Sequence, residues 1–488
     1  LHSTSRRQRQ MCIRDSIKGG RKMSNFAGNV EWLSNFLYSY ILVAMLIVLG
    51  IFFTCKTKFV QFRYIKEMFR LLGDGATSNK EDGHVSSFQA FCISTASRVG
   101  TGNLAGIAIA ISIGGPGAIF WMWLIALIGA GSSFVESTLA QIYKEKDSKG
   151  AFRGGPAYYI EKGLNKKWMG ILFSILITVS FGLIFNSVQS NTISIAMNEA
   201  FGFDRLTVGI VLTILTIVII IGGVQRVAKV SSIIVPVMAV LYILVALFVI
   251  FKNIGEVPRI LLLIFENAFG VEQAVGGSLG GVILIGIKRG LFSNEAGMGS
   301  APNAAATANV SHPVKQGLIQ TLAVFNDTII ICSCTAFIIL LSDVDLSGGL
   351  TGIQLTQNAL SSQIGSIGST FIAICIFLFA FSSIVGNYYY GESNIEFLTN
   401  KRVYIGIYRA AVASMVLFGA IASLDIVWNL ADVFMAGMAI LNLIAITALG
   451  KYAYKALDDY RKQKKNGIKE PVFKASSIEG LKNTTEWE

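Results

Sequence analysis

This sequence predicts an all-α polytopic membrane protein with about eleven transmembrane helices, on three observations. Of its 488 residues, 53% are hydrophobic and only 14% charged, whereas a soluble globular protein carries roughly a quarter charged residues. The apolar residues gather into runs long enough to cross a hydrocarbon layer, about 20 residues each. The basic residues fall in alternate loops, which is how membrane proteins set their orientation. Together these exclude a soluble enzyme, a secreted disulfide scaffold and a DNA-binding domain. A β-barrel is excluded because barrel strands alternate apolar and polar residues, and Ile210–Ile221 does not.

The elements follow in chain order. Residues 1–22 are polar and basic and lack the apolar core of a signal peptide. They are expected to be a non-native or disordered leader, with translation starting at Met23. Spans are expected at 34–54, 86–112, 116–143, 168–198, 206–222, 228–251, 279–308, 313–341, 367–396, 403–421 and 429–449. After the first come Lys56, Lys58, Arg63, Lys66 and Arg70; after the third, Lys144 through Lys167; after the fifth, Arg226 and Lys229. Lys315 follows the seventh, Lys401 and Arg402 the ninth, and a basic tail the last. Loops 199–205, 252–278, 342–366 and 422–428 are poor in Lys and Arg. The N-terminus is therefore expected outside and the C-terminus in the cytoplasm.

The net charge of +12 reads as this topology signal, so no nucleic-acid partner is expected. Six cysteines without a C-x-x-C pair and three histidines give no disulfide framework, no zinc site and no cofactor. Walker A, HExxH and GxSxG motifs are absent, so the chain is expected not to be an enzyme.

Two spans are interrupted by polar and glycine residues. The second holds Arg98–Gly106 (RVGTGNLAG) and the seventh Arg289–Gly297 (RGLFSNEAG). Both read R-x4-N-x-A-G. They lie five spans apart, so they enter the membrane from opposite sides, the mark of an inverted repeat around a midplane site. The expected units are an extra N-terminal helix at 23–55, five-helix repeats at 86–251 and 279–450, and a basic tail at 451–488. Non-helical backbone is expected at about 99–103 and 290–295, because irregular backbone at membrane depth is tolerated where it lines a cavity. Freed carbonyls there suit a small cation, and freed N–H groups suit a carboxylate.

Gly114–Gly129 (GGPGAIFWMWLIALIG) closely resembles the signature of the alanine or glycine:cation symporter family. Phe152–Tyr158 (FRGGPAY), Phe292–Ala305 (FSNEAGMGSAPNAA) and Asn387–Glu392 (NYYYGE) are similar to the same family. The resemblance covers about 30–450. It implies a LeuT-like five-plus-five fold preceded by one helix. It further implies import of a small neutral amino acid with sodium as coupling ion, across a bacterial inner membrane, by a functional monomer in the lipid bilayer. It places sodium against the carbonyls of Ala96 and Val99 and the hydroxyls of Ser382 and Ser383. For substrate it points to Gly100, Asn103, Gln189, Phe292, Ser383 and Asn387. Backbone at Gly100–Asn103 would hold the carboxylate, Gln189 the ammonium, and Phe292 would cap the side chain. Many relatives carry Trp where this chain has Asn387, which leaves alanine, glycine, serine and glutamine open.

Charges within spans are functional suspects: Arg98, Glu136, Lys288, Arg289, Glu295 and Asp327. Glu136 is expected to reach the second break, and Arg98 to pair with Asp327 or Glu295. The alternative within the class is proton coupling through Glu295 or Glu136. A polytopic membrane enzyme and a channel are the readings from other classes.

Overall fold

The computed structural model describes residues 28–77, 85–147, 150–269, 279–346, 348–399 and 401–487; the expected leader at 1–22 lies outside them. The chain is nearly all helical. Helix α1 spans Gly28–Lys56, and a short amphipathic helix α2, Ile65–Thr77, follows it. A capping box between Ser86 and Gln89 starts α3, Ser87–Arg98. The chain leaves helical geometry at Val99 and resumes as α4, Gly102–Gly114, bent 48° from α3.

The long helices of the first half continue as α5 (Ala118–Ile142), α6 (Lys167–Phe201), α7 (Arg205–Ile220) and α8 (Gly223–Lys252), with short helices at Pro156–Leu164 and Val257–Phe269 between and after them. The second half repeats the order: a broken pair α9 (Leu279–Asn294) and α10 (Ala301–Ala306), then α11 (Pro313–Leu340). A short helix α12 (Gly352–Ile364) fills the 342–366 loop and lies over the bundle, Thr356 Oγ1 donating to Leu104 O at 3.0 Å. Helices α13 (Ile367–Leu398), α14 (Arg402–Ile421) and α15 (Leu424–Lys465) complete the bundle.

Among the described residues, eight helices are long and apolar enough to span a membrane, and the bent α3–α4 pair makes a ninth. The shorter apolar α7 and the broken α9–α10 segment are compatible with a total of eleven. The bundle has an inner and an outer layer. In the most apolar stretches of α1, α8 and α14 only 28% of residues are buried, against 67% in α5 and α11. The outer helices therefore turn Ile233, Val237, Val240, Leu244 and Phe248 outward, as a lipid solvent allows.

The two broken helices cross in the middle. The first half of one packs on the second half of the other: α3 on α10, and α4 on α9. They therefore run antiparallel, which inversion of a five-helix unit demands. Helices α4, α6 and α11 each carry a π-helical stretch (Gly102–Gly106, Ser180–Phe185 and Phe325–Cys332). Such stretches widen a helix locally and recur at functional sites.

Candidate functional site at the two helix breaks

Where α3 ends, Val99 is extended and its carbonyl is released from the helix. Ser383 on α13 faces that end. Its Oγ lies 2.8 Å from Ala96 O, 3.3 Å from Val99 O and 3.0 Å from Phe379 O. Ser382 Oγ lies 2.8 Å from Phe379 O. A hydroxyl carries one proton, so Ser383 satisfies one of these carbonyls and leaves an oxygen-rich nest with no anionic ligand. That donor set suits a small hard monovalent cation. Of the residues expected around sodium, Ala96, Val99 and Ser383 are brought together. Ser382 joins them through Phe379, whose carbonyl the sequence reading missed because a backbone oxygen leaves no mark in a side-chain pattern.

Beside the nest lies the first break. Gly100 N–H donates to Asn103 Oδ1 at 2.9 Å, and Thr101 N–H to Gln189 Oε1 at 2.9 Å. A Cβ on Gly100 would stand 2.3 Å from Ser383 Oγ and 2.8 Å from Gln189 Oε1, so only glycine admits this approach. Asn103 Nδ2 donates to Asp327 Oδ1 at 2.7 Å and Ser293 Oγ at 3.1 Å, tying the break to α11 and α9. Asn387 Oδ1 lies 2.7 Å from Ser97 Oγ, on the other flank. Phe292 stacks on Phe185 at 4.7 Å between ring centres and lies tilted against Trp428 at 4.6 Å. The three rings form a lid next to Gly102, whose absent Cβ would lie 3.0 Å from Phe292. Trp428 and Phe185 were not singled out in the sequence. Trp428 falls in what reads as the 422–428 loop, and Phe185 sits in an ordinary apolar run.

The second break lies at Glu295–Ser300, just beyond the expected 290–295. Helix α9 runs on through Gly290 because that glycine makes a packing contact instead: its absent Cβ would lie 2.8 Å from Ile125. The turn comes where Glu295, Gly297 and Gly299 adopt φ of 56°, 81° and 87°, a left-handed geometry that glycine adopts without cost. Glu136 on α5 reaches this break. Its two oxygens accept the N–H groups of Gly297 and Gly299, each at 3.1 Å, and Asn442 Nδ2 at 2.7 Å. Glu295 accepts Ser97 Oγ at 2.8 Å and Ser300 Oγ at 2.5 Å.

The expected pairing of Arg98 is not seen. Among the described residues no carboxylate lies within 4.0 Å of it, and Nη1 sits 3.3 Å from Gln320 Oε1. Asp327 is instead satisfied by Asn103, Ser293 and Thr328, and Glu295 by serines, so neither needs the guanidinium. Lys288 and Arg289 share Asp432 on α15, at 2.7 and 3.1 Å.

Comparison with known proteins agrees with this architecture. The solved structure of MhsT in complex with L-phenylalanine superposes with a TM-score of 0.56 at 16% identity, covering 76% of this chain and 95% of that one. That likeness speaks to the fold, a LeuT-like bundle. The probable sodium/glutamine symporter GlnT of Bacillus subtilis is 60% identical over 90% of this chain and 91% of its own length. The amino-acid carrier protein AlsT of the same organism is 59% identical over 93% and 96%. The sodium/alanine symporter AgcS of Methanococcus maripaludis is 36% identical over 91% and 99%. The sequence profile of the sodium:alanine symporter family matches residues 23–475, and the chain belongs to that family of membrane transporters.

Proposed function

We propose that the chain imports a small neutral amino acid with sodium, by alternating access around the two helix breaks. The observation that carries this reading is the neutral oxygen nest of Ala96, Val99 and Phe379 carbonyls around the Ser383 hydroxyl. Sodium there would sit directly behind Gly100, so its charge would favour a substrate carboxylate at the N–H groups of Gly100–Asn103. Gln189 and the polar groups of the second break would take the ammonium. Phe292, backed by Phe185 and Trp428, would close over the side chain, with Asn387 as part of the wall. An Asn rather than an indole at that wall supports a pocket that admits glutamine as well as alanine, glycine and serine. Its relatives, which include a probable sodium/glutamine symporter and a sodium/alanine symporter by name, support the same range.

The units of the transporter in this reading are the first helix at 23–55, the repeats at 86–251 and 279–450, and the tail from 451. In this reading the transporter is a monomer; the charge pattern of its loops supports an N-terminus outside and a C-terminus in the cytoplasm.

The test is uptake of labelled alanine, glycine, serine and glutamine into proteoliposomes under sodium, lithium or proton gradients. Sodium-driven uptake of at least one of them is expected. Uptake driven by a proton gradient without sodium would replace this reading with proton coupling, for which buried Glu295, held by two hydroxyls, is the carrier to examine.

A further inference from the structure

A basic tail is expected at 451–488, but α15 runs on to Lys465 and the chain beyond it is folded against the end of the bundle from which α3 starts. Phe473 and Trp487 are buried and meet edge to face, 5.4 Å between ring centres. Trp487 Nε1 donates to Gln141 O at 2.8 Å, and Gln141 Nε2 in turn to Ala305 O and Ala308 O. Lys144 donates to Ala308 O at 3.0 Å and lies 4.8 Å above the Trp487 ring. Phe473 N–H donates to Ser311 O at 2.9 Å, and Ser311 Oγ to Pro471 O at 2.8 Å.

These anchors hold the tail to the ends of α5 and α10 and the start of α11, along one side of a seam. Just before α3, Val85 pairs with Ala308, and Asn309 N–H donates to Val85 O at 3.0 Å. On one side of the seam stand α2 and α3; on the other, the end of α10 and the start of α11. Glu470 crosses it, paired with Arg70 of α2 at 3.1 Å and with Lys315 of α11. A path from the Gly100 break to this face requires α3 to part from α10.

We propose that the segment 466–487 is a latch across this seam, which holds α3 against α10 and must release before the bound amino acid leaves on this side. The proposal rests on the reading above, in which this is the cytoplasmic, releasing face. The latch makes the rate of inward opening a property of the tail, separable from binding at the breaks.

Cys92, buried on α3, reports the opening. The experiment uses the full chain in proteoliposomes, a chain stopped after Lys465, and the point variant Glu470→Gln with Trp487→Ala. Maleimide labelling of Cys92 is followed by peptide mapping. Both variants are expected to label about tenfold faster than the full chain, the effect of roughly 1.4 kcal/mol taken from the closed state. If the shortened chain fails to fold, the point variant decides. Unchanged labelling in the folded variants overturns the latch, whether or not their melting temperature falls. Uptake by the same vesicles tests the transport reading separately. Faster labelling without sodium-driven uptake removes that reading and keeps the latch; intact uptake with unchanged labelling removes the latch alone.

Discussion

Gly100 and Ser383 meet so closely that each fixes what the other can be. A methyl group on Gly100 would fall 2.3 Å from Ser383 Oγ, against a side chain that already contacts three carbonyls and cannot retreat. Gly100→Ala is therefore expected to abolish sodium-dependent uptake while the protein still reaches the membrane folded; retained uptake would show that the two helices separate at this point. The neighbouring serines should differ. Ser383 bridges α13 to α3, whereas Ser382 contacts only its own preceding turn. Ser383→Ala should raise the sodium concentration for half-maximal uptake by about tenfold, since a lost polar contact of this kind costs roughly 1 kcal/mol or more. Ser382→Ala should raise it less. Equal effects, measured as sodium titrations of uptake, would remove the distinction. At this scale the glycines, Asn103 and the paired serines were legible because polar residues at membrane depth stand out. Phe379 O, Phe185 and Trp428 were not, because a carbonyl has no sequence and an aromatic in an apolar helix reads as packing.

A broken helix leaves N–H groups without partners, and the element that satisfies them becomes part of the break. Glu136 does this for α10. One carboxylate accepts from Gly297 and Gly299, and an amide, with a donor on one side, cannot accept from both. Glu136→Gln should cost about 1–3 kcal/mol, the price of a stranded buried donor, read as a lower melting temperature and reduced uptake; an unchanged melting temperature would contradict the capping role. The sequence placed Glu136 near the second break but put the break too early, because Gly290 and Gly297 look alike until packing separates a helix contact from a turn.

The latch packs on a titrating residue of the bundle, His312 at the start of α11. His312 Nδ1 accepts Val314 N–H, which leaves the proton on Nε2, 3.2 Å from Asp459. Burial pushes this imidazole down to about 4, and Asp459 only partly opposes it; Lys315 pushes the same way as burial, and Tyr460 and Phe473 flank the ring. Release of Phe473 would uncover the ring and move it back up toward the ordinary imidazole value of 6.5. Between those values His312 binds a proton when the tail is released and not when it is packed, so acid favours release. Burial also raises Glu67, but hydrogen bonds from Arg70, Tyr460 and Lys464 bring it down to about 2, outside the window. Cys92 labelling should therefore accelerate from about pH 7 to about pH 5 once corrected for thiol reactivity, and His312→Gln should flatten that profile. A wild-type profile flat over this range would exclude His312 as the switch.

Across the whole molecule, the tail and the aromatic lid sit at opposite ends of one site. Behind the lid, Arg289 lies 4.4 Å from the Trp428 ring and shares Asp432 with Lys288. The bundle architecture was legible from charge alternation and the twin motifs, both of which sum over many residues. Asp432 was not, because a single carboxylate within a span gives no hint of which cation it meets. The folded tail was not either, since Phe473, Ile478 and Trp487 are spaced without period and their partners lie hundreds of positions away.

If the lid and the latch close alternate ends of the same path, they bias one equilibrium in opposite directions. Asp432→Asn leaves two buried cations without a counter-charge, which costs a buried pair about 3–5 kcal/mol. That falls on the lid-closed state, so the outward-open state gains and the seam at Val85–Ala308 opens less often. Asp432→Asn alone should therefore slow Cys92 labelling by about a hundredfold or more. Combined with the chain stopped after Lys465, the opposed effects should partly cancel, leaving labelling faster than in Asp432→Asn alone by the same factor that the truncation gives in the wild type. A truncation that changes labelling in the wild type but not in the Asp432→Asn background would show that the two ends do not share an equilibrium, because independent biases on a common two-state element must add as free energies.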